Sequence, residues 1–499
     1  MSLDLINIIF GMKVRQARLE AGLTLADLAR QSELSPSYLT EIEKGRKYPR
    51  ADKIVKMAAA LGKPYDDLVS IKLDPSLRYL ESTIASSMVR RFPFEEFGLE
   101  PADAMGLVTR EPERASALLH AVVEMTRRYD LKEEEFLRAA LRAYQEIHEN
   151  YFPELEEAAQ AFTTAFGPRY GIDDTLPIPL PTLAAILREE YDYTIDDHTL
   201  AASEELRHYR TLLLPGRRPQ LFINNRLYAR QVRFLLAREI GYRHLGLKER
   251  SLASTADEVN SFQQLLNDAR AAYFGGALLM PRDRLLSDLQ QFLALPAWAP
   301  EPFSAMLSTY DVTPEMLLYR FSELIPQFFG LKLHFLRFHH ADGADDYQLV
   351  RHLNMNQLLV PSGIGLHEHH CRRWLSIRLL PDSAAADPLP VGVQLSEFLE
   401  TGERFLCIGF GRRMVLSPGV SSSVIIGFRV DSELQHTIGF LDDPAIPHTL
   451  IHETCERCPL RPDQCAVRAA PPTILNARRE QLARKMALDQ LQTRANATD

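Results

Sequence analysis

The sequence predicts a mainly α N-terminal half, made of a helix-turn-helix bundle and a helical spacer, then an α+β middle and a β-rich C-terminal domain. Apolar residues recur at helical spacing over the first 60 residues and again between residues 115 and 150. Strand-like runs begin near residue 211 and are frequent after residue 333. A chain of 499 residues is long enough for about three domains, each with its own core.

Composition and charge limit the classes to which the chain can belong. It is 46% hydrophobic and 25% charged, as globular proteins are, and its net charge of −9 argues against a general coat for nucleic acid. No apolar run approaches the roughly 18 residues that cross a bilayer. The N-terminus lacks the basic start and the small-residue cleavage site of a secretory signal. We therefore expect a cytoplasmic protein without a membrane segment.

Residues 24–45 predict two short helices joined by a turn. Thr24 is placed to cap the first helix, with Asp27 three residues later as an acidic variant of the capping box. Ser35 is placed to cap the second helix, in which Pro36 suits the first turn and Gly45 suits a left-handed C-cap. Helical patterns before and after this stretch complete a bundle of five or fewer helices. The spacing is that of a helix-turn-helix.

The second of these helices exposes polar side chains that suit base edges and phosphates. Leu39 and Ile42 face the core, which leaves the opposite side to hydroxyl, carboxylate and ammonium groups. Residues 1–63 hold 11 Lys and Arg against 7 Asp and Glu, so the surroundings of this helix are basic. A small helical module that binds another protein is the alternative. The residues that we expect to bind DNA are Thr24, Ser35, Ser37, Tyr38, Thr40, Glu41, Lys44, Arg46 and Lys47.

Three stretches of this region resemble a known DNA-binding family. Two of them are the runs GMKVRQARLEAGLT and LSPSYLTEIEKG, and the third is the position of Pro49. Together they closely resemble the Xre/Cro-type domain, over roughly residues 8 to 70. The resemblance implies that residues 1–70 bind a double-stranded DNA operator. One such domain reads only a few base pairs and palindromic half-sites need two, so we expect a homodimer or a higher homo-oligomer.

Residues 71–176 are predicted to be a helical spacer and oligomerisation region. Nothing in this region specifies chemistry. The run PIPLP at residues 177–181 marks its boundary with the next domain. The apolar residues that repeat on one helical face are Ala115, Leu118, Leu119 and Val122.

Residues 177–330 predict two strands, a turn and two long helices. The strands are TLLLP and QLFINN, and the helices are LYARQVRFLLAREIGYRHLGL and a segment that ends in ARAAYFGGALLMP. These segments resemble the ImmA/IrrE-type metallopeptidase domain. In that family the first helix carries HExxH and the second supplies a glutamate ligand. The resemblance therefore predicts a peptidase-like middle domain.

The residues at the zinc-binding positions of this family make the domain degenerate. The HExxH window reads REIGY from Arg238, and alignment on LLMP places Arg270 at the glutamate position. A permanently charged guanidinium cannot bind zinc, and only Glu239 of the motif remains. His244 lies two residues past its place, and Asp268 alone does not complete a site. We expect no catalytic residue and no enzyme, and an old catalytic cleft that now holds a ligand.

Residues 331–473 predict a β-rich sensor domain with a cysteine cluster, and residues 474–499 predict a terminal helix. Five cysteines in so long a chain do not form a disulfide scaffold. Cys455 and Cys458 have C-x2-C spacing, Cys465 follows in a proline-rich loop, and Cys371 is the best fourth donor. Spacing alone leaves zinc and an iron-sulfur cluster open. The reserve donors are His367, His369 and His370.

The order of these parts resembles a family of transcriptional regulators. The chain has, in order, an Xre-type domain, a degenerate peptidase-like domain, a C-x-x-W segment and a closing cysteine triplet. This order is similar to that of the propionate- and glyoxylate-pathway regulators that sense short-chain acyl-CoA. The resemblance implies a short-chain acyl-CoA effector. It also implies a [4Fe-4S] cluster, with zinc as the alternative, on Cys371, Cys455, Cys458 and Cys465. The chain departs from the pattern in having six residues between its last two cysteines and extra histidines before the first.

Three functions remain open from the sequence. The preferred one is a sequence-specific DNA-binding transcriptional regulator whose C-terminal region senses a metabolite through residues that no motif identifies. The second is a zinc-dependent, repressor-cleaving peptidase fused to a DNA-binding domain. The third is an antitoxin-like module that binds a small protein.

Overall fold

The chain is divided into two compact units in the computed structural model. One unit comprises Met1–Tyr144 and Glu258–Leu265, and the other comprises Gln145–Asp257 and Leu266–Asp499. The predicted helical repeat that includes Leu118 and Val122 lies outside the described residues. The structure describes residues 5–70, 94–97, 133–172, 176–253, 259–356, 358, 368–382 and 389–496.

Five helices form the N-terminal bundle. Apolar residues at helical spacing build its core, in which Leu28, Leu39, Ile42 and Met57 are completely buried. The predicted helix-turn-helix bundle is confirmed. The helices are α1 (Leu5–Glu20), α2 (Leu25–Ser32), α3 (Pro36–Glu43), α4 (Ala51–Leu61) and α5 (Tyr65–Val69).

Further helices follow, together with a small sheet. The helices are α6 (Glu133–Ile147), α7 (Pro153–Tyr170), α8 (Leu180–Tyr191), α9 (Thr199–Ala202), α10 (Ala229–His244), α11 (Phe262–Leu279), α12 (Arg282–Leu293), α13 (Pro300–Tyr310) and α14 (Pro314–Phe329). The small sheet contains β1 (Thr194–Asp196), β2 (Thr211–Leu214) and β3 (Gln220–Ile223). Its order is β1-β3-β2, with β1 parallel and β2 antiparallel to β3. The mixed α/β character predicted for the middle of the chain is confirmed.

A six-stranded sheet forms the C-terminal part, as predicted. Its order is β5-β4-β8-β7-β6-β9, and all neighbours are antiparallel except β6 and β9. The strands are β4 (Leu333–Ala341), β5 (Gln348–Asn354), β6 (Val391–Phe398), β7 (Arg404–Arg413), β8 (Val420–Arg429) and β9 (His448–Ile451). The helices here are α15 (Leu375–Asp382), α16 (Ser432–Thr437) and α17 (Thr473–Asn496).

One apolar core joins α12, α13 and α14 to a single face of the six-stranded sheet. Because side chains alternate along a strand, Phe335 and Ile426 face this core, whereas Phe338 and Ile425 face α15 on the other side. Phe321 of α14 is buried in the core. The last helices of the peptidase-like region and the sheet are therefore packed as one body. None of the described helices is long and apolar enough to cross a bilayer.

Candidate functional site

The N-terminal ends of α2 and α3 are capped as predicted. The hydroxyl oxygen of Thr24 accepts from Asp27 N at 3.1 Å, and Thr24 N donates to the Asp27 carboxylate at 3.2 Å. The hydroxyl oxygen of Ser35 accepts from Tyr38 N at 3.2 Å. Thr24 and Ser35 thus satisfy backbone amides that would otherwise have no partner at a helix start.

The C-terminal end of α3 is closed by a Schellman motif. Gly45 has a φ of 67°, a left-handed conformation that a glycine adopts without strain. The amides of Gly45 and Arg46 donate to the carbonyls of Ile42 and Glu41, each at 2.9 Å. The predicted C-cap at Gly45 is therefore confirmed.

Helix α1 holds α3 in a fixed orientation. A Cβ on Gly11 would lie 2.2 Å from the carbonyl oxygen of Ile42, so only glycine permits this approach. Arg18 forms a two-point pair with Glu43 in the last turn of α3, at 2.7 and 2.9 Å. The two side chains are 12% and 8% exposed, so water competes little with the pair.

The solvent side of α3 presents polar groups beside basic side chains. Ser37 is exposed, and Thr40, Glu41 and Lys44 are half-buried. Arg46 lies 3.5 Å from the Glu41 carboxylate. This combination of hydroxyl, carboxylate and cation is the chemistry that reads base edges and binds phosphates.

The ring of Tyr38 positions two further cations next to this surface. The Lys53 and Lys47 ammonium nitrogens lie 4.2 and 5.4 Å from the ring centroid. Cations at these distances are attracted to the face of the ring. Tyr38 therefore organises basic side chains from outside α3.

Glu239, the one retained residue of the HExxH motif, is buried in a network of protein donors. Arg250 forms a two-point pair with its carboxylate at 2.5 and 2.7 Å. The Tyr193 hydroxyl donates to the same carboxylate at 2.6 Å, and Arg243 donates to that hydroxyl at 2.7 Å. Glu239 is 4% exposed. Both of its oxygens are held by the protein, so the carboxylate serves a structural role here.

Arg238 and Tyr242 stand at the two histidine positions of the motif. Arg238 donates to the Tyr242 hydroxyl at 2.6 Å, and that hydroxyl donates to Asp268 at 2.5 Å. The Arg250 guanidinium stacks on the Tyr242 ring, 3.6 Å from its centroid. Guanidiniums thus occupy the region where this family binds a metal cation.

The placement of Arg270 at the glutamate position stays a prediction, but the structure brings a different residue of α11 to the REIGY segment. Asp268, two residues earlier on α11, contacts Tyr242 and lies 3.8 Å from Arg238. Two residues along an α-helix turn a side chain by about 200°, so residues 268 and 270 face different sides. His244 packs against Phe162 and Phe274, with ring centroids 5.1 and 5.5 Å away, and belongs to the aromatic core.

The chain segment that contains Cys371 pairs with the cysteine-rich loop. An antiparallel bridge joins His370 to Thr454. On either side of it, Cys371 N donates to the carbonyl of residue 453 at 3.2 Å, and Cys455 N donates to the carbonyl of residue 369 at 2.9 Å. The pairing therefore brings together the segments that carry Cys371 and Cys455, two predicted metal ligands that are 84 residues apart in the sequence.

The four predicted cysteine ligands influence one another electrostatically. Burial raises the pKa of the Cys371 thiol to about 11, and the nearby Cys455 and Cys458 raise it further. Burial also raises the pKa of Cys458, to which Cys465 and Cys455 contribute. The amide of Ala469 donates to Cys455 Sγ at 3.4 Å, a contact of the kind that tunes metal-bound sulfur. These contacts place the predicted ligands near one another, and thiols of this kind bind a metal as thiolates.

The positions of these thiols do not yet form a closed metal site. Among the residues that the structure describes, no three His, Cys, Asp or Glu side chains are arranged to hold a metal ion. His369 pairs with Glu456 at 2.7 Å, and His370 packs against Trp374, with ring centroids 5.8 Å apart. His367 lies outside the described residues.

Comparisons with known proteins match two of these regions. A helix-turn-helix family model matches residues 14–68, and the model of the IrrE N-terminal-like domain of the M78 peptidases matches residues 194–322. No curated protein matches the chain. One solved structure, a Mycobacterium tuberculosis transcriptional regulator, is 17% identical, covers 66% of this chain and 92% of its own, and has a TM-score of 0.46. At that identity the likeness does not extend to function.

The matched regions and the capped α3 define the class of the protein. The chain carries a helix-turn-helix domain and a peptidase-like domain of the IrrE kind. The predicted Xre-type and ImmA/IrrE-type resemblances are confirmed at this level.

Several residues that shape these sites gave no signal in the sequence. Arg250 and Tyr193 hold Glu239 from 11 and 46 residues away. Lys53 reaches Tyr38 of α3 from the following helix, α4. Each partner lies on a different element, so no local periodicity connects it to the site.

Proposed function

We propose that the chain is a one-component, sequence-specific transcriptional regulator that acts in the cytoplasm as a homodimer or a higher homo-oligomer. The observation that carries the proposal is the polar solvent side of α3, fixed at both ends and bordered by cations. Ser37 and Thr40 would bond to base edges in the major groove, and Lys44, Arg46 and Lys47 to phosphates.

The test is binding of the full chain to its own upstream DNA. Fluorescence anisotropy should show tighter binding to that duplex than to a shuffled duplex at the same salt concentration. The double variant Ser37→Ala, Thr40→Ala should lose at least about tenfold of this preference, because a lost base contact costs about 1–3 kcal/mol. Lys63→Ala is the control, since Lys63 pairs with Glu20 at 2.9 Å. Equal affinity for both duplexes would refute the proposal.

We further propose that the larger unit senses a small effector, with short-chain acyl-CoA as the first candidate. Support comes from the order of the domains and from the absence of zinc ligands at Arg238 and Tyr242, which favours a role other than zinc-dependent hydrolysis for this domain. A ligand that prefers one conformation shifts the population toward it by its differential affinity. Propionyl-CoA should change the Kd for DNA by at least about fivefold relative to free CoA. An unchanged Kd would remove this effector.

We also propose that Cys371, Cys455, Cys458 and Cys465 bind a [4Fe-4S] cluster or zinc. An iron-sulfur cluster would add sensitivity to oxidants, whereas zinc would only rigidify the loop. Anaerobic purification followed by iron, sulfide and zinc analysis distinguishes the two. The variant Cys455→Ala, Cys458→Ala should lose the metal, and Cys407→Ala, a buried cysteine on β7, should keep it. Equal metal in the double variant and the parent would eliminate the site.

The peptidase and antitoxin alternatives have separate tests. The guanidiniums around Glu239 disfavour a zinc peptidase, so we expect no chelator-sensitive cleavage of casein in the presence of zinc. Cleavage that Glu239→Gln abolishes would favour the peptidase. A small protein that co-purifies at one copy per chain, without any response to acyl-CoA, would favour the antitoxin-like module.

A further inference from the structure

Two arginines of the six-stranded sheet share one carboxylate at the start of α14. Arg412 on β7 lies with Nε 2.8 and 3.0 Å from the two carboxylate oxygens of Glu315. Arg337 on β4 lies with Nη2 3.6 Å from the nearer of these oxygens. The side chains of Arg412, Glu315 and Arg337 are 9%, 13% and 19% exposed. Two largely desolvated positive charges therefore face one negative charge, which leaves one positive charge in excess.

Strand register adds polar side chains to the same place. His339 lies opposite Ser422 in the β4–β8 pairing, and Ser422 lies opposite Arg412 in the β8–β7 pairing. Residues paired in this way project from the same face of a sheet, as does Arg337, two residues before His339. Arg337 Nε donates to the Ser422 hydroxyl at 3.3 Å. Three adjacent strands thus contribute polar groups at one end of the face that packs on α14.

A third guanidinium, that of Arg210, lies near enough to interact electrostatically with this cluster. Burial lowers the pKa of Arg210, the residue before β2, and repulsion by Arg412 lowers it further. Burial also lowers the pKa of Arg337 to about 10, with contributions from Arg210 and Arg412. For Glu315, burial would raise the pKa, but the charges of Arg412 and Arg337 outweigh burial and lower it. The local field therefore favours an additional anion.

A buried hydrogen-bonding group remains available in this cluster. Arg412 donates through Nε and Nη1, and Arg337 through Nε and Nη2. Among the described residues, His339 Nε2 is a buried polar atom of this cluster without a hydrogen-bond partner. Donors with little access to water gain most from an anionic acceptor.

We propose that Arg210, Arg337 and Arg412, together with His339 and Ser422, bind a phosphate group, either free or carried on a larger molecule. A phosphate has several acceptor oxygens that match guanidinium forks, and its charge offsets the surplus around Glu315. The site deepens the effector part of the proposed function and rests on that proposal only for its regulatory role.

The test is calorimetric titration of the full chain with inorganic phosphate and, separately, with AMP, at constant ionic strength. The parent should bind at least one of the two probes in a saturable manner. Arg337→Gln and Arg412→Gln should each bind at least about tenfold more weakly, the usual scale for a lost charge-assisted contact. Arg413→Gln is the matched control, because Arg413 projects from the other face and pairs with exposed Asp342 at 2.7 Å.

The two probes also separate the possible sources of the phosphate. Equal or stronger binding of inorganic phosphate supports a free anion, and tighter binding of AMP supports a phosphate carried on a larger molecule. No binding of either probe by the parent would overturn the inference, as would unchanged binding by the Arg337 and Arg412 variants. Specific DNA binding in that case would leave the proposed regulator intact.

Glu315→Gln gives a test with the opposite sign. It removes the carboxylate that competes for Arg412 and keeps all three arginines, so the variant should bind phosphate several-fold more tightly than the parent. Phosphate should also raise its unfolding temperature more than it raises that of the parent. Weaker or unchanged binding by a folded Glu315→Gln variant would show that the arginines serve only to hold α14.

Discussion

Arg320 lies at the centre of a buried group of charged and polar side chains from three helices. It donates to both oxygens of Glu156 at 2.6 and 2.9 Å and to Glu323 at 2.9 Å, while the Tyr273 hydroxyl donates to Glu156 at 2.7 Å. Arg320 is 1% exposed. One guanidinium faces two carboxylates, so one negative charge is in excess. Burial raises the pKa of Glu323 to about 8, although Arg320 opposes this shift.

The raised pKa of Glu323 makes a prediction for stability against pH. The folded state holds a proton that the unfolded state releases near pH 4.5, so this stabilisation is complete below pH 4.5 and is lost as pH rises to about 8. Glu323→Gln imitates the protonated acid and should flatten the loss of stability between pH 4.5 and about 8, where each pH unit is worth about 1.4 kcal/mol per proton. Urea denaturation at several pH values measures the effect.

An exposed glutamate of α7 provides the control for this experiment. Glu154→Gln should leave the pH dependence of unfolding as it is in the parent. A Glu323→Gln variant that keeps the parent's full pH dependence would show that another group binds the proton.

Pairings such as Arg320 with Glu156 could not be predicted from the sequence. The two residues are 164 positions apart, and an isolated arginine in a helical pattern reads as a solvent-exposed residue. The same limit applies to Arg412 with Glu315 and to Arg250 with Glu239. In each case the packing of elements that are distant in the sequence brings the two partners together. The periodicity of the sequence gives no information about that packing.

At the scale of single elements, helix ends were the best predicted features. Thr24, Ser35 and Gly45 each have a chemical reason to end or begin a helix that depends only on neighbouring residues, and all three act as expected. Strand β6 is not evident from the sequence pattern, because buried polar residues interrupt the alternation of apolar and polar side chains. Its Gln394 and Ser396 are buried, and Gln394 donates to Ser396 and to the carbonyl of residue 373, so polar residues conceal the inward face.

The cap of α3 gives a prediction at this scale. Ser35→Ala removes the acceptor for Tyr38 N and should lower the free energy of opening of α3 by about 1 kcal/mol. Amide hydrogen exchange in the full chain measures the opening of α3. Val55→Ala should change the opening energy of α3 by less than about 0.5 kcal/mol, because Val55 is an exposed position on α4 away from the cap. Equal protection of α3 in the Ser35 variant and the parent would contradict the capping role.

At the scale of the whole molecule, the chain has a basic N-terminal region and an excess of acidic residues elsewhere. Residues 1–63 carry a net charge of +4, from 11 basic and 7 acidic side chains, in a chain whose net charge is −9. The remainder therefore repels the DNA backbone, and attraction is confined to the helix-turn-helix domain.

The sequence does not show which helices share a core with the six-stranded sheet, because that core joins residues as distant as Met280 and Phe440.

This distribution of charge predicts how DNA binding depends on salt. Arg46→Gln should weaken binding to specific and shuffled duplexes alike and reduce the slope of log K against log salt by about 1, as the loss of one phosphate contact does. Anisotropy between about 50 and 200 mM salt measures the slope. Lys63→Gln should leave the slope unchanged. A slope that stays the same in the Arg46 variant would place this residue outside the phosphate contacts.

The network that replaces the zinc site has a consequence for the conditions under which the protein can work. Glu239 is anchored by Arg250 and Tyr193, and the Tyr242 hydroxyl is anchored by Asp268, so hydrogen bonds between side chains order this part of the domain. Its integrity should therefore be indifferent to the supply of metal ions in the cell. Starvation for zinc, which would empty an active peptidase of this type, leaves this part of the regulator assembled.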